Sequence, residues 1–154
     1  MKASKQLANR FREVILNGTW IANTNYKDQL SNINWEQANR KFQSLNTIVA
    51  LTFHIHYYVK GILDVLEGGP LTIKDQYSFD IPPIKSQKDW KSLTNALWKD
   101  SEKLAELVES LTEENLKKTF VNEKYGHYQR NIEAMIEHSY YHLGQIVLIK
   151  KMIQ

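Results

Sequence analysis

Apolar residues recur at helical spacing in four separate stretches of this 154-residue chain, and nowhere do two runs alternate as a strand pair would. The arrangement predicts an all-α fold, and four helices joined by loops favour a four-helix bundle. In the first stretch Leu7, Phe11, Val14 and Ile15 follow Ser4, a candidate N-cap, and Asn17-Gly18 supplies the stop. The second is expected to start at a Ser44 cap and run through Glu67. Gly68-Gly69-Pro70 closes it, the strongest stop signal in the sequence. A third begins at Ser86, with Asp89 completing a pattern like a capping box, and carries Trp90, Leu93, Leu97, Leu104, Leu107 and Leu111. The last is expected to be capped by Asn131 and to reach about Lys151.

Between these helices, residues 19–43 are rich in Asn, with anchors such as Tyr26, Leu30 and Trp35, and should hold short helical turns near 28–31 and 35–39. Thr112 can start one more turn, and 119–129 should be looped or extended around Gly126. The 68–85 segment is longer than most structureless loops, and its aromatics, Tyr77 and Phe79, suggest a lid or a partner surface. The length suits a single domain spanning 1–154.

Composition narrows the chemistry. There is no cysteine, so disulfides, thiolate zinc sites and cysteine nucleophiles are excluded together, and any metal must sit on nitrogen or oxygen. The net charge is +3, from 20 basic and 17 acidic residues, and the basic residues are scattered, with Lys117-Lys118 and Lys150-Lys151 the longest runs; no nucleic-acid partner is expected. The most apolar segment, around 45–66, is interrupted by His54, His56, Lys60 and Asp64, so no membrane span is expected. The N-terminus lacks the apolar stretch of a signal peptide, and a cytoplasmic location is the expectation.

The five histidines sort by helical geometry. On the second helix His56, Lys60, Asp64 and Glu67 fall within roughly 80° of one another, a stripe expected to face water. His54 lies about 160° from His56, on the apolar face with Tyr58 and Ile62, and should point into the bundle. His138 and His142 are one turn apart on the last helix, on a face shared with Ala134, Met135, Gln145 and Ile149. Three inward imidazoles need partners. A divalent metal would satisfy all three and leave a coordination position for water or substrate, although histidines at such spacing also arise as packed core residues. His127, beside Gly126, reads as a turn residue or as support behind a ligand. Glu133 and Glu137 lie about 100° to 140° from the histidine face and should meet solvent, so no general base is evident. Tyr58 and Tyr141 could hydrogen-bond a ligand or simply pack. A second apolar stripe on the last helix, Ile136, Tyr140, Leu143 and Val147, predicts a homodimer packed partly through it, although cover by the 19–43 segment would explain it as well.

The run His138-Ser139-Tyr140-Tyr141-His142-Leu143-Gly144-Gln145-Ile146, together with His54 late in the second helix, resembles the DinB-like (YfiT-like) superfamily of metalloenzymes, which are distinct from the DNA polymerases sharing the DinB name. The resemblance covers essentially the whole chain. It implies a down-up-up-down four-helix bundle holding a divalent ion on three histidines, which map to His54, His138 and His142. Nickel or zinc is the ion it favours, with iron or manganese compatible with the same ligands. It also implies either transfer of a low-molecular-weight thiol or metal-assisted hydrolysis, acting on a small-molecule substrate such as a thiol. A metal-stabilised bundle that binds a small molecule or a protein without catalysis is the competing expectation.

Overall fold

A computed structural model describes residues 2–154. Among them every regular element is helical, with one isolated antiparallel bridge between Thr119 and His127. The elements are α1 (Ala3–Arg12), running on into a π-helical turn (Glu13–Asn17), α2 (Tyr26–Ser31), α3 (Trp35–Asn39), α4 (Ile48–Leu66), α5 (Gln87–Ser110), α6 (Glu113–Leu116) and α7 (Tyr128–Ile153). No helix among the described residues is long and apolar enough to cross a membrane.

Three of the expected caps fall elsewhere. Ser4 lies inside α1, where its hydroxyl donates to the Glu109 carbonyl of α5 at 3.2 Å, so it joins two helices and caps none. Thr47, not Ser44, caps α4 by accepting from the Ala50 N–H. Asn131 sits one turn into α7 and donates to the carbonyls of Tyr125 and His127, tying the incoming loop to the helix. The α5 cap is as expected, with Ser86 accepting from the Asp89 N–H, but the Asp89 carboxylate reaches back to the N–H of Lys85 instead of that of Ser86. α4 ends where the sequence places its stop. Gly68 adopts φ 90°, which favours a residue with no Cβ, and the Gly69 N–H closes on the Asp64 carbonyl.

The long helices touch in four pairs, α4 with α5, α1 with α5, α4 with α7 and α1 with α7. Between them Phe11, Ile15, Ile48, Ile55, Leu97 and Ile146 are all at most 1% exposed. Each such side chain stabilises the fold by about 1.5–3 kcal/mol relative to an exposed position. The 19–43 segment closes one side of this core. Tyr26 is fully buried and donates its hydroxyl to the Ser139 carbonyl of α7 at 2.8 Å, while the Trp90 indole donates to the Ile33 carbonyl at 3.1 Å. Two large side chains are thereby buried without an orphaned polar group.

This cover accounts for the second stripe of α7. Ile136 and Leu143 are 2% and 1% exposed, Tyr140 and Val147 pack on the same core, and α1 and α2 both lie against α7. The stripe is covered within one chain, by α1 and its π-helical turn together with α2.

The polar stripe of α4 also differs from expectation. His56 Nε2 lies 2.7 Å from Asp100 Oδ2 of α5, with the two side chains 18% and 19% exposed, and Glu67 pairs with Lys103 of the same helix. The stripe is a charged seam between α4 and α5, with Lys60 and Asp64 pairing along it.

The 68–85 segment is strapped onto α4. The Tyr57 hydroxyl accepts from the Lys74 N–H at 2.8 Å and lies 3.0 Å from the Lys74 carbonyl, to which it donates. A Cβ at Gly61 would stand 2.5 Å from Ile73 Cδ1, so the missing side chain lets the strap lie flat on the helix.

Candidate metal centre

α7 carries His138 and His142 one turn apart, and α4 presents His54 across from them. Their Nε2 atoms converge. His138 Nε2 is 3.2 Å from His54 Nε2 and 2.8 Å from His142 Nε2, and one nitrogen from each ring lies within 4.8 Å of the others. A tetrahedral ion with N–metal distances of 2.0–2.1 Å spaces its ligands about 3.3 Å apart, so small ring movements suffice to grip one.

The far side of two rings is engaged with oxygen. His142 Nδ1 is 2.6 Å from Gln145 Oε1, and His54 Nδ1 is 3.3 Å from the Ser78 carbonyl. A carbonyl oxygen only accepts, so each Nδ1 carries the proton and each Nε2 directs a bare lone pair at the common centre. Protonating His138 Nε2 satisfies one of its two short contacts and leaves the other as lone pair against N–H-free nitrogen. A cation among the three nitrogens resolves every contact at once. The donor set therefore fits a divalent ion bound by nitrogen, with the acceptors behind the rings fixing tautomer and orientation.

Burial holds all three imidazoles in the neutral form that binds metal. His54 is pushed down to about 4, by burial first and then by His142 and His138. Burial followed by His142 lowers His138, and burial lowers His142 against an opposing pull from Gln145. Such rings take up protons more readily in the unfolded chain. Their contribution is complete above the unfolded value of about 6.5 and is lost as pH falls below it, for His54 down to about 4. Metal-free protein should accordingly show a urea midpoint that drops between pH 7 and pH 4.5, and His138→Ala should flatten that dependence.

Aromatic rings wall the cluster. Phe79, from the strap, stacks on His54 with ring centres 4.1 Å apart and planes 10° from parallel. Tyr58 meets His54 and His138 edge-on at 5.0 and 5.2 Å, and Tyr141 meets His142 at 4.8 Å while remaining 65% exposed. The Tyr58 hydroxyl donates to Asp75 Oδ1 at 2.7 Å; burial and this bond raise its pKa to about 12, so it keeps its proton at neutral pH.

Of the residues singled out from sequence, His54, His138 and His142 come together; His56 and His127 do not. His127 is exposed at the start of α7. Glu137 pairs with Arg130 and Glu133 with Gln129, away from the cluster as expected. Sequence reasoning missed Asp75 and Ser78 and gave Phe79 no place beside His54; the strap delivers all three to the site, 21 to 25 residues beyond His54, only through tertiary packing. The role of Gln145 was legible only as a polar group three residues from His142.

Fold and site together define a class: an all-helical protein with three converging imidazoles that could hold a metal ion. The family model of the DinB superfamily matches residues 24–146, a span that contains all three histidines, and the chain belongs to this superfamily. No curated protein and no solved structure matches it.

Proposed function

We propose that the chain is a divalent-metal-dependent enzyme in which His54, His138 and His142 hold the ion, acting on a small-molecule substrate as a thiol transferase or a hydrolase. The observation that carries this reading is the convergence of three Nε2 atoms whose partner Nδ1 groups, on two of the rings, are already committed to oxygen acceptors. Nickel or zinc suits the all-imidazole donor set, and iron or manganese is compatible with it. The single domain would follow the down-up-up-down order of the superfamily.

A divalent ion held by His54, His138 and His142 would supply Lewis acidity that eases deprotonation of water or a thiol. The chain's own residues do the rest. Gln145 and the Ser78 carbonyl orient the rings of His142 and His54, Phe79 shields one face of His54 from water, and Tyr58 offers a protonated hydroxyl held by Asp75. Gln145→Ala should weaken metal affinity by about 10- to 100-fold, the usual cost of losing the partner behind a ligand, without unfolding the chain. Competition against a chromogenic chelator measures it.

The non-catalytic reading, a metal-stabilised bundle, is favoured by one observation: among the described residues no carboxylate belongs to the imidazole cluster. Turnover of thiol acceptors and of ester substrates, measured before and after chelation and after metal is restored, separates the two. The enzyme reading expects activity that disappears and returns with the ion. Absence of turnover in protein that binds metal stoichiometrically would favour the alternative.

A further inference from the structure

A cavity of about 490 Å³ opens beside the cluster, lined by His138 but by neither His54 nor His142. Its volume lies within the range of sites that enclose small organic ligands. Most of its wall is hydrocarbon: Ile62 from α4, Ala134 and Met135 from α7, Leu71 and Ile73 from the strap. Part of its polar edge, which also carries Lys74 and Asp75, is already committed. The Tyr58 hydroxyl is given to Asp75, and the Asn131 amide N–H groups are given to two backbone carbonyls. The strap forming one wall is fixed in place, by the paired bonds of Tyr57 to Lys74 and by the contact that Gly61 permits with Ile73. The space is thus defined by the fold, and its lining rewards removal of apolar surface from water more than additional hydrogen bonds.

We propose that this cavity takes the organic body of the ligand whose donor atom reaches the three imidazoles, and that this body is an aryl or branched-alkyl group. A compact, wholly polar substrate such as an amino acid or a sugar would leave Ile62 and Ile73, both partly exposed, facing water. The donor-atom half rests on the proposed metal site; the apolar half does not. His138 lines the cavity and belongs to the cluster, so a ligand of this kind spans both with its polar end at the nitrogens.

Two probe pairs test the two halves separately. On metal-free protein, 2-phenylethanol and ethanol report the cavity alone, by amide chemical-shift titration. On zinc-loaded protein, 2-phenylethanethiol and ethanethiol report the cavity together with the donor site, by calorimetry. The aryl member of each pair should bind about tenfold tighter or more, from the apolar area a phenyl ring buries. Ala134→Phe, which fills the space from α7, and Ile73→Asp, which makes the strap wall polar, should each remove most of that preference while metal content stays at the wild-type level. Equal affinities within the alcohol pair overturn the proposal regardless of what the metal does. So does an aryl preference unchanged in both variants when they are folded. Loss of the metal reading shows itself differently, as failure to bind zinc with the alcohol preference intact.

Discussion

His138→Ala is expected to abolish stoichiometric metal binding while leaving the helical fold in place. His138 Nε2 makes both short contacts of the cluster, 3.2 Å to His54 and 2.8 Å to His142. Without it, the two remaining nitrogens belong to different helices and the donor set falls to two. Loss of a partner behind a ligand costs about 10- to 100-fold in affinity, and removing the ligand itself should cost at least the upper figure. The metal-free fold should be much less affected. The ring is only partly buried and burial already disfavours its charged form, so metal-free variant and metal-free wild type should agree within about 1 kcal/mol. Metal content by elemental analysis and helicity by circular dichroism read the two outcomes on one sample. A variant that retains a full equivalent of metal would move the site elsewhere.

Chelation should lower the melting temperature of the wild-type chain by about 5–11 °C. A ligand present at 100 times its dissociation constant and bound only by the folded state stabilises it by about 2.7 kcal/mol. For a chain of this size each kcal/mol shifts the midpoint by about 2–4 °C. Held by these three histidines, the ion would join α4 to α7, two long helices that also share the hydrophobic core, so its contribution should appear in global unfolding and not in fraying of one end. The same chelator added to His138→Ala should leave the midpoint unchanged, which separates loss of a bound ion from any direct effect of the reagent. A wild-type midpoint indifferent to chelator, in protein shown to contain metal beforehand, would mean that the ion is not held between the helices.

The histidine cluster was legible because helical spacing alone carries it. His138 and His142 must lie one turn apart on any helix through both, and His54 and His56 must face opposite ways. What an isolated helix cannot report is what lies against each face. His56 has the spacing of a solvent stripe, yet Asp100 meets it from α5, because a charged face can be matched by another charged face as well as by water. The stripe of Ile136 and Leu143 had two readings for the same reason, and within the chain it is met by α1 and its π-helical turn together with α2, whose Tyr26 hydroxyl reaches α7. Caps were misplaced by one turn or less, since Ser4, Ser44 and Asn131 all have suitable side chains and the choice depends on where the incoming chain bends. The strap was the largest gap. Asp75, Ser78 and Phe79 carry no periodic signal, and their places around Tyr58 and His54 follow from long-range packing through Tyr57 and Gly61.

X-ray absorption at the metal edge, on untagged protein loaded with one equivalent of zinc or nickel, measures the central arrangement most directly, since a polyhistidine tag would add imidazoles of its own. The expected spectrum shows three imidazole nitrogens at about 2.0–2.1 Å with one exchangeable oxygen ligand, and His138→Ala carried through the same loading should retain no stoichiometric ion to give it. A shell of oxygen ligands alone, or a chain that retains no ion under these conditions, would contradict the convergence of His54, His138 and His142 on a common metal.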